Sequence, residues 1–251
     1  MAARTCLVTG AGRGIGGVIA ARLSTAGHRV ALNARGREGL DAVAGTLPGP
    51  SLVVPGDVTD PVAADEVFGA VEREWGPVEV LVLNAGTGFS APLARTTDED
   101  WQHMLDLNLT APFRFLRRAA PAMAERGWGR VVVIASVAAK QGAPYISAYA
   151  AAKHGVLGLV RSAAAELAGT GVTVNALLPG GPANTRMIPD GEVTDRAGLI
   201  QPDVMMAPIV WLMSARSDGV TGRRIVAKEW SAERVQQESP DRVGSPAGWN
   251  D

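Results

Sequence analysis

The strongest constraint on the fold is a regular alternation of short apolar runs with longer segments of helical periodicity. Seven runs have the length and composition of buried strands, at 6–8, 29–33, 51–54, 79–83, 130–134, 172–176 and 224–227. Helices are predicted between them, at 15–26, 37–46, 61–75, 98–125, 147–168 and 203–214. Strands that are apolar throughout are covered on both faces, and helical crossovers make them parallel. The pattern predicts an α/β chain with a doubly wound parallel sheet of about seven strands and helices on both faces.

The composition fits one large domain followed by a polar tail. The 251 residues are 47% hydrophobic, which is enough for a single large core. The sequence then turns polar and aperiodic, so we assign residues 1–228 to the domain and 229–251 to a C-terminal extension. Trp230 and Trp249 are aromatic anchors in this extension. Packing on the chain's own surface is the favoured interpretation for them, and contact with a neighbouring subunit is the alternative.

Charge and cysteine content argue against several classes of protein. A net charge of -1 and a pI near 6.3 give no basic footprint for nucleic acid. The single cysteine, Cys6, cannot form an intrachain disulfide and fits a reducing compartment. No apolar run reaches the roughly 20 residues of a membrane span, and the first strand begins too early for a signal peptide. We therefore expect a cytoplasmic protein without nucleic-acid or membrane partners, and we predict no metal site.

The turn after the first strand has the composition of a phosphate-binding turn. It reads Thr9-Gly10-Ala11-Gly12-Arg13-Gly14-Ile15-Gly16, and a predicted helix follows it directly. Glycines let the backbone turn tightly and approach a pyrophosphate, whose charge the helix N-terminus favours. The sequence predicts a dinucleotide site here, and an ordinary glycine-rich turn is the alternative.

The end of the second strand distinguishes the two nicotinamide cofactors. An acidic residue at this place binds the ribose 2′-hydroxyl in NAD sites, whereas this chain has Asn33-Ala34-Arg35. Arg35 and Arg13 can present guanidinium groups to a 2′-phosphate, although the alternative is that both are solvated surface charges. The sequence therefore favours NADPH/NADP over NADH/NAD.

Tyr149 and Lys153 lie four residues apart in an alanine-rich stretch that predicts a helix. Residues at this spacing share a helix face, and a nearby cation lowers the pKa of a phenol from its usual value of about 10. Such a phenol can exchange protons near neutral pH. The chain contains only two tyrosines and three lysines, so the pair is not explained by abundance. A surface contact without function is the alternative.

Taken in order, these motifs resemble those of the short-chain dehydrogenase/reductase (SDR) family. The resemblance covers about residues 4–227 and includes the glycine turn, Asn84-Ala85-Gly86, and Ser136 placed 13 residues before Tyr149. It implies a single Rossmann-type domain. It also implies four catalytic residues. Ser136 would orient a carbonyl, and Tyr149 would be the general acid or base. Lys153 would lower the Tyr149 pKa and bind the nicotinamide ribose, and Asn108 would anchor a water. The cofactor-binding residues predicted from the motifs and the resemblance are Gly10, Gly12, Arg13, Gly14, Ile15, Gly16, Arg35, Asp57, Val58, Asn84, Ala85, Gly86, Tyr149, Lys153, Pro179 and Gly180.

The resemblance implies an oxidoreductase that transfers a hydride between NADPH and a ketone or secondary alcohol. Residues 34–40, 140–142 and 152–156 further resemble the NADPH-dependent ketoreductases of aromatic polyketide pathways. An NAD-dependent secondary-alcohol dehydrogenase and a silent nucleotide-binding sensor or scaffold remain alternatives. Family members usually assemble through the two long helices, which implies a homo-oligomer, either a tetramer or a dimer. Apolar side chains on those helices could instead all serve the core.

The chain departs from the family pattern after Pro179-Gly180. Only residues 181–201 separate this turn from the next predicted helix, so the substrate-covering segment is short and the pocket is expected to be open. Asn184 occupies the usual position of a threonine, which leaves Thr185 as an alternative cofactor contact. Side chains that could line the substrate pocket are Trp101, Tyr145, Met187 and Ile188. Tyr145 is not the catalytic tyrosine, because no lysine lies four residues after it.

Overall fold

The protein folds around one twisted sheet with helices on both faces. The computed structural model describes residues 3–188 and 195–247. Its strands are β1 (Thr5–Thr9), β2 (Arg29–Ala34), β3 (Ser51–Pro55), β4 (Val80–Leu83), β5 (Gly129–Ile134), β6 (Val172–Leu178), β7 (Arg223–Val226) and β8 (Ser245–Pro246). Its α-helices are α1 (Gly14–Thr25), α2 (Arg37–Ala44), α3 (Ala63–Trp75), α4 (Asp98–Leu105), α5 (Ala111–Arg126), α6 (Ser147–Glu166), α7 (Met206–Leu212) and α8 (Ala232–Gln237).

The strand order is that of a doubly wound sheet. It runs β3-β2-β1-β4-β5-β6-β7-β8, and the first seven of these strands pair in parallel. The chain winds outward in both directions from β1 and β4, which opens a crevice beyond their carboxyl ends. The predicted fold class and its seven strands are therefore confirmed. An eighth strand, β8, runs antiparallel to β7 and was not predicted.

Alternate residues of the strands supply two separate cores. In β1, Leu7 faces the apolar cluster that α3, α5 and α6 complete. Its neighbours Cys6 and Val8 face the cluster that α1, α2 and α7 complete. Because successive side chains of a strand point to opposite faces, a strand between two helical layers has to be apolar at every position. This requirement explains the continuous apolar runs of the sequence.

The predicted helix at 98–125 contains an interruption at the site. Thr97 begins it with a capping box, in which the Thr97 hydroxyl accepts from the Asp100 amide and the Asp100 carboxylate accepts from the Thr97 amide. Between α4 and α5, residues Asp106–Thr110 form one wide turn of π-helix. Such turns are rare and occur often at functional sites. Among the described residues, no helix has the length and apolar character needed to cross a membrane.

The described part of the C-terminal extension packs on the rest of the chain. Trp230 is buried against Trp211 of α7, with ring centroids 5.4 Å apart. Val243 and Ala247 have no exposed surface. The expected packing of Trp230 on the chain's own surface is confirmed, whereas Trp249 lies outside the described residues. The segments α8 and β8 are too short to show a periodicity in the sequence.

Candidate active site

The glycine turn is tied to the end of β4 by hydrogen bonds. The Thr9 hydroxyl accepts from the backbone amides of Asn84 (3.0 Å) and Ala85 (3.1 Å). The Asn84 side-chain amide donates back to the carbonyl oxygens of Thr9 (3.0 Å) and Gly10 (3.1 Å). These bonds fix the carboxyl ends of β1 and β4 relative to each other. Thr9 opens the glycine motif in the sequence, but the sequence alone did not give its hydroxyl this connecting role.

Two glycines of this turn cannot be replaced without a clash. Gly10 has φ +64, which disfavours any other residue. A Cβ added to Gly16 would lie 2.3 Å from the Gly10 carbonyl oxygen and 2.5 Å from the Asn84 amide nitrogen. The backbone is therefore closely packed where α1 begins. Gly12, Gly14 and Ile15 lie in the same turn, so all the predicted glycine-turn residues are brought together.

The ends of β2 and β3 meet beside the glycine turn. Val58 and Ala85 line one small cavity with Thr9. Burial acts to raise the pKa of the Asp57 carboxyl, but hydrogen bonds from the Thr59 amide (3.0 Å) and hydroxyl (2.8 Å) lower it below its usual value. The nearby charge of Arg35 acts in the same downward direction. Asp57 is therefore ionised at neutral pH and lies close to Arg35.

Arg13 and Arg35 are the exposed cations of this region. Arg13 precedes the first turn of α1, and Arg35 follows the last residue of β2. Within residues 3–188 and 195–247, neither guanidinium forms an ion pair with a carboxylate. Both donor groups thus remain available to an anionic ligand.

Ser136 and Tyr149 meet beyond the end of β5. Ser136 follows β5 and caps a short 3-10 turn, where its hydroxyl accepts from the Ala138 amide (3.2 Å). Tyr149 lies in the first turn of α6. Burial raises the pKa of the Tyr149 phenol above its usual value, and a hydrogen bond with the Ser136 side chain acts in the opposite direction. The phenol is therefore protonated at neutral pH.

Lys153 is buried one helical turn after Tyr149. Its side-chain nitrogen lies 5.7 Å from the centre of the Tyr149 ring and donates to the Ile134 carbonyl oxygen (3.2 Å). Burial lowers the pKa of Lys153 to about 8. We expected Lys153 to bring the Tyr149 pKa below its usual value, and the structure gives the opposite direction. Both side chains are removed from water, and this burial disfavours the charged form of each.

Asn108 lies in the wide turn between α4 and α5, and its side chain is oriented unambiguously. Its amide nitrogen donates to the carbonyl oxygens of Thr87 (3.2 Å) and Met104 (3.1 Å). The other side-chain atom, Oδ1, is buried and accepts no hydrogen bond within the described chain. A Cβ added to Gly86 would lie 2.8 Å from this oxygen and 3.6 Å from the Lys153 nitrogen. Asn108, Gly86 and Lys153 are thus neighbours, and a buried acceptor of this kind requires a donor such as water.

Residues after β6 reach across to the glycine turn. Pro179 and Gly180 are buried at the end of β6, and Gly180 has φ +102. Thr185 lies beside Gly14, with its methyl group 3.4 Å from the position of a Cβ on that glycine. The proximity of Thr185 to the glycine turn fits the cofactor contact that its sequence position suggested.

Two of the other candidate pocket residues, Tyr145 and Met187, contact the loop after β4. Tyr145 is 61% exposed and has φ +70, a strained conformation for an aromatic residue. Its carbonyl oxygen accepts from the Ala91 amide (2.8 Å), which joins the segment before α6 to the loop after β4. Met187 is 43% exposed and lies beside Gly88 of that same loop. Trp101 is exposed on α4, and Ile188 is partly buried.

Two curated proteins resemble this chain over most of its length. The 3-oxoacyl-(acyl-carrier-protein) reductase MabA of Mycobacterium avium is 44% identical over 177 residues, which are 70% of this chain. This stretch is 66% of the relative, so the chain matches just under two thirds of its length. The D-beta-hydroxybutyrate dehydrogenase of Rhizobium meliloti is 38% identical over 195 residues, which are 74% of this chain and 76% of that protein.

A solved structure and a family model agree with these relatives. The crystal structure of an actinorhodin polyketide ketoreductase variant with NADPH superposes with a TM-score of 0.83 at 34% identity, covering 88% of this chain and 94% of that one. The predicted resemblance to polyketide ketoreductases is therefore confirmed. A family model described as short chain dehydrogenase matches residues 4–192. The chain belongs to the short-chain dehydrogenase family of oxidoreductases.

Proposed function

We propose that this protein is an NADPH-dependent carbonyl reductase that converts a ketone to a secondary alcohol and can run in reverse. One observation carries the proposal: the phenol of Tyr149 and the hydroxyl of Ser136 are neighbours beyond the carboxyl end of β5, and the buried Lys153 nitrogen lies 5.7 Å from the centre of the Tyr149 ring. Two relatives are named as a ketoacyl-type reductase and a ketoreductase, which supports the same reaction.

The described residues fit a dinucleotide. Gly10 and Gly16 allow the backbone to pack closely at the start of α1, where a helix N-terminus favours a pyrophosphate. Asp57 and Val58 would border the adenine, with Asn84, Ala85 and Gly86 along the middle of the molecule, and Pro179 and Gly180 at the nicotinamide end. Arg13 and Arg35 are exposed cations that would bind a 2′-phosphate. When bound, NADPH supplies the hydride.

Side chains of the protein supply the proton and stabilise the charge that develops on the substrate oxygen. The Ser136 hydroxyl donates to the substrate carbonyl oxygen, and Tyr149 delivers the proton as that oxygen gains charge. The raised pKa keeps Tyr149 protonated before the reaction, which suits reduction. The Lys153 ammonium then stabilises the phenolate that remains, and it also binds the nicotinamide ribose.

Asn108 completes this machinery. Its unpaired Oδ1 accepts from a water that returns a proton toward Tyr149 by way of Lys153. A cation that stabilises the phenolate acts to lower the Tyr149 pKa, so Lys153 keeps the role expected from sequence and opposes the effect of burial.

A ketone panel tests the reaction. Purified protein is given NADPH with small, aryl, steroid, polycyclic and 3-oxoacyl ketones, and oxidation of NADPH is followed by the loss of its absorbance. We expect the protein to reduce one class of ketone. The rate of reduction with NADPH should exceed the rate with NADH. Turnover with NAD and secondary alcohols alone would favour the dehydrogenase alternative. Tight NADPH binding with no turnover of any ketone would favour a nucleotide sensor.

Cofactor preference is expected to depend on Arg35. Arg35→Ser removes a charged donor from the 2′-phosphate, so the Kd for NADPH should rise about tenfold to a hundredfold while that for NADH changes little. Quenching of protein fluorescence measures both constants. Arg73→Ser is the control, because Arg73 is an exposed arginine on α3 away from the site. Equal changes for both cofactors would contradict the assignment of Arg35.

A further inference from the structure

One guanidinium holds both ends of the short turn that crosses the nucleotide site. Arg196 Nη1 donates to the Asn184 side-chain oxygen (2.9 Å), and Nη2 donates to the Ile188 carbonyl oxygen (2.6 Å). The two acceptors are four residues apart, so the rigid fork of Arg196 fixes the shape of the segment 184–188. This arginine was not selected from the sequence, because its partners are known only once the chain is folded.

The same turn is anchored from its other side. The Asn184 side-chain nitrogen donates to Gln201 Oε1 (3.0 Å), and Gln201 Nε2 donates to the Arg196 carbonyl oxygen (3.2 Å). The Asn184 amide donates to the Ile200 carbonyl oxygen (2.8 Å). We call the three side chains of Asn184, Arg196 and Gln201 the clasp. Their hydrogen bonds form a closed ring from Arg196 to Asn184, from Asn184 to Gln201, and from Gln201 back to the Arg196 backbone.

The turn held by the clasp carries two side chains that reach different parts of the site. Thr185 lies against Gly14 of the glycine turn. Met187 lies against Gly88, with its Cγ 3.2 Å from the position of a Cβ on that glycine. The loop that contains Gly88 follows Asn84-Ala85-Gly86, and its Thr87 carbonyl oxygen accepts from Asn108. One side chain therefore lies at the pyrophosphate end and the other near the catalytic residues.

We propose that Arg196 is a positioning residue of this site, which acts through the clasp to hold Thr185 and Met187 over the bound cofactor and substrate. The inference rests on the proposed reductase function. Within the described residues, Arg196 bonds to Asn184 and Ile188 of the turn and not to Ser136 or Tyr149. Contacts that Thr185 and Met187 make would be equally strong before and during the reaction, so they strengthen binding without changing the rate of the bound complex. Loss of the clasp therefore affects KM and Kd, and leaves kcat nearly unchanged.

The test compares two substitutions of Arg196 with a distant control. Arg196→Met keeps the length of the side chain but removes its donors, and we expect the ketone KM and the NADPH Kd to rise about tenfold with kcat within about twofold of wild type. Arg196→Lys keeps the charge on a single donor nitrogen in place of the two used by the fork, and it should give intermediate values. Arg73→Met removes the same charge from α3 and should match wild type. Thermal unfolding of each variant shows whether the whole fold is affected.

Each result of these measurements either supports or overturns the positioning role of Arg196. An Arg196→Met protein with wild-type KM and Kd would overturn the proposal, whether or not its Tm falls. A fall in kcat with unchanged KM would also overturn it, because the turn would then act on the chemical step. If wild-type protein reduces no ketone, the proposed function fails, and the NADPH Kd still tests the clasp through Thr185. If Arg196→Met does not fold, the Arg196→Lys values decide.

Discussion

Replacing Tyr149 with phenylalanine is expected to abolish turnover and leave NADPH binding intact. The change removes one hydroxyl, and with it the general acid that we propose beside Ser136. Loss of general acid catalysis should lower kcat about a hundredfold to ten-thousandfold. The phenyl ring keeps its packing, so the Kd for NADPH should stay within about twofold of wild type. Steady-state kinetics and fluorescence titration measure the two quantities.

Tyr145→Phe is the matched control for this experiment. It removes the only other phenolic hydroxyl of the chain, from a side chain that is 61% exposed. Most of the turnover should survive, because no lysine accompanies this tyrosine on a helix face. Near-full turnover by Tyr149→Phe would reject the proposed mechanism. Equal losses of turnover in both variants would mean that Tyr149 is not the specific proton donor.

Gly16→Ala should both destabilise the protein and weaken cofactor binding. The added methyl group would lie 2.3 Å from the Gly10 carbonyl oxygen, which is backbone and cannot rotate away. Overpacking of this kind costs about 3 kcal/mol of unfolding free energy. A loss of that size lowers the Tm of a domain of this length by about 6 to 12 °C. Calorimetry gives the Tm, and the NADPH Kd should rise because the displaced turn no longer fits a pyrophosphate.

The adjacent Gly17→Ala substitution is expected to act in the opposite direction. A Cβ on Gly17 would lie 3.4 Å from the Ala11 carbonyl oxygen and from the Val43 side chain, which is ordinary contact. Alanine is the better helix former by about 0.5 to 1 kcal/mol, so the Tm should hold or rise slightly. If both variants lost the same stability, the close approach at Gly16 would not be the cause.

The strands and the site residues that follow them were predictable because they depend on local sequence. A strand buried on both faces needs an apolar run, and the parallel arrangement brings the ends of those runs to one edge. Ser136 and Asn84 each follow such a run, so their convergence needed no further information. The Tyr149–Lys153 pair needed only the helical period.

The features that were missed depend on the folded environment. The pKa of Tyr149 is set by how completely its phenol is buried, which the spacing to Lys153 does not reveal. The wide turn that places Asn108 has no distinctive sequence. The partners of Arg196 in the clasp come from a turn that precedes it and from Gln201 that follows it. In each case the deciding contacts form only in the tertiary structure.

The short strand β8 has a consequence for the behaviour of the protein at high concentration. It pairs with the first half of β7, where Pro246 lies opposite Arg223 and Ser245 opposite Arg224. A proline has no amide hydrogen to offer to a further strand, and it is common on sheet edges for that reason. The strand β8 thus protects this edge of the sheet against edge-to-edge aggregation. A shortened chain that lacks β8 would expose the backbone of β7. We expect it to be less soluble at high concentration, while its catalytic rate stays the same.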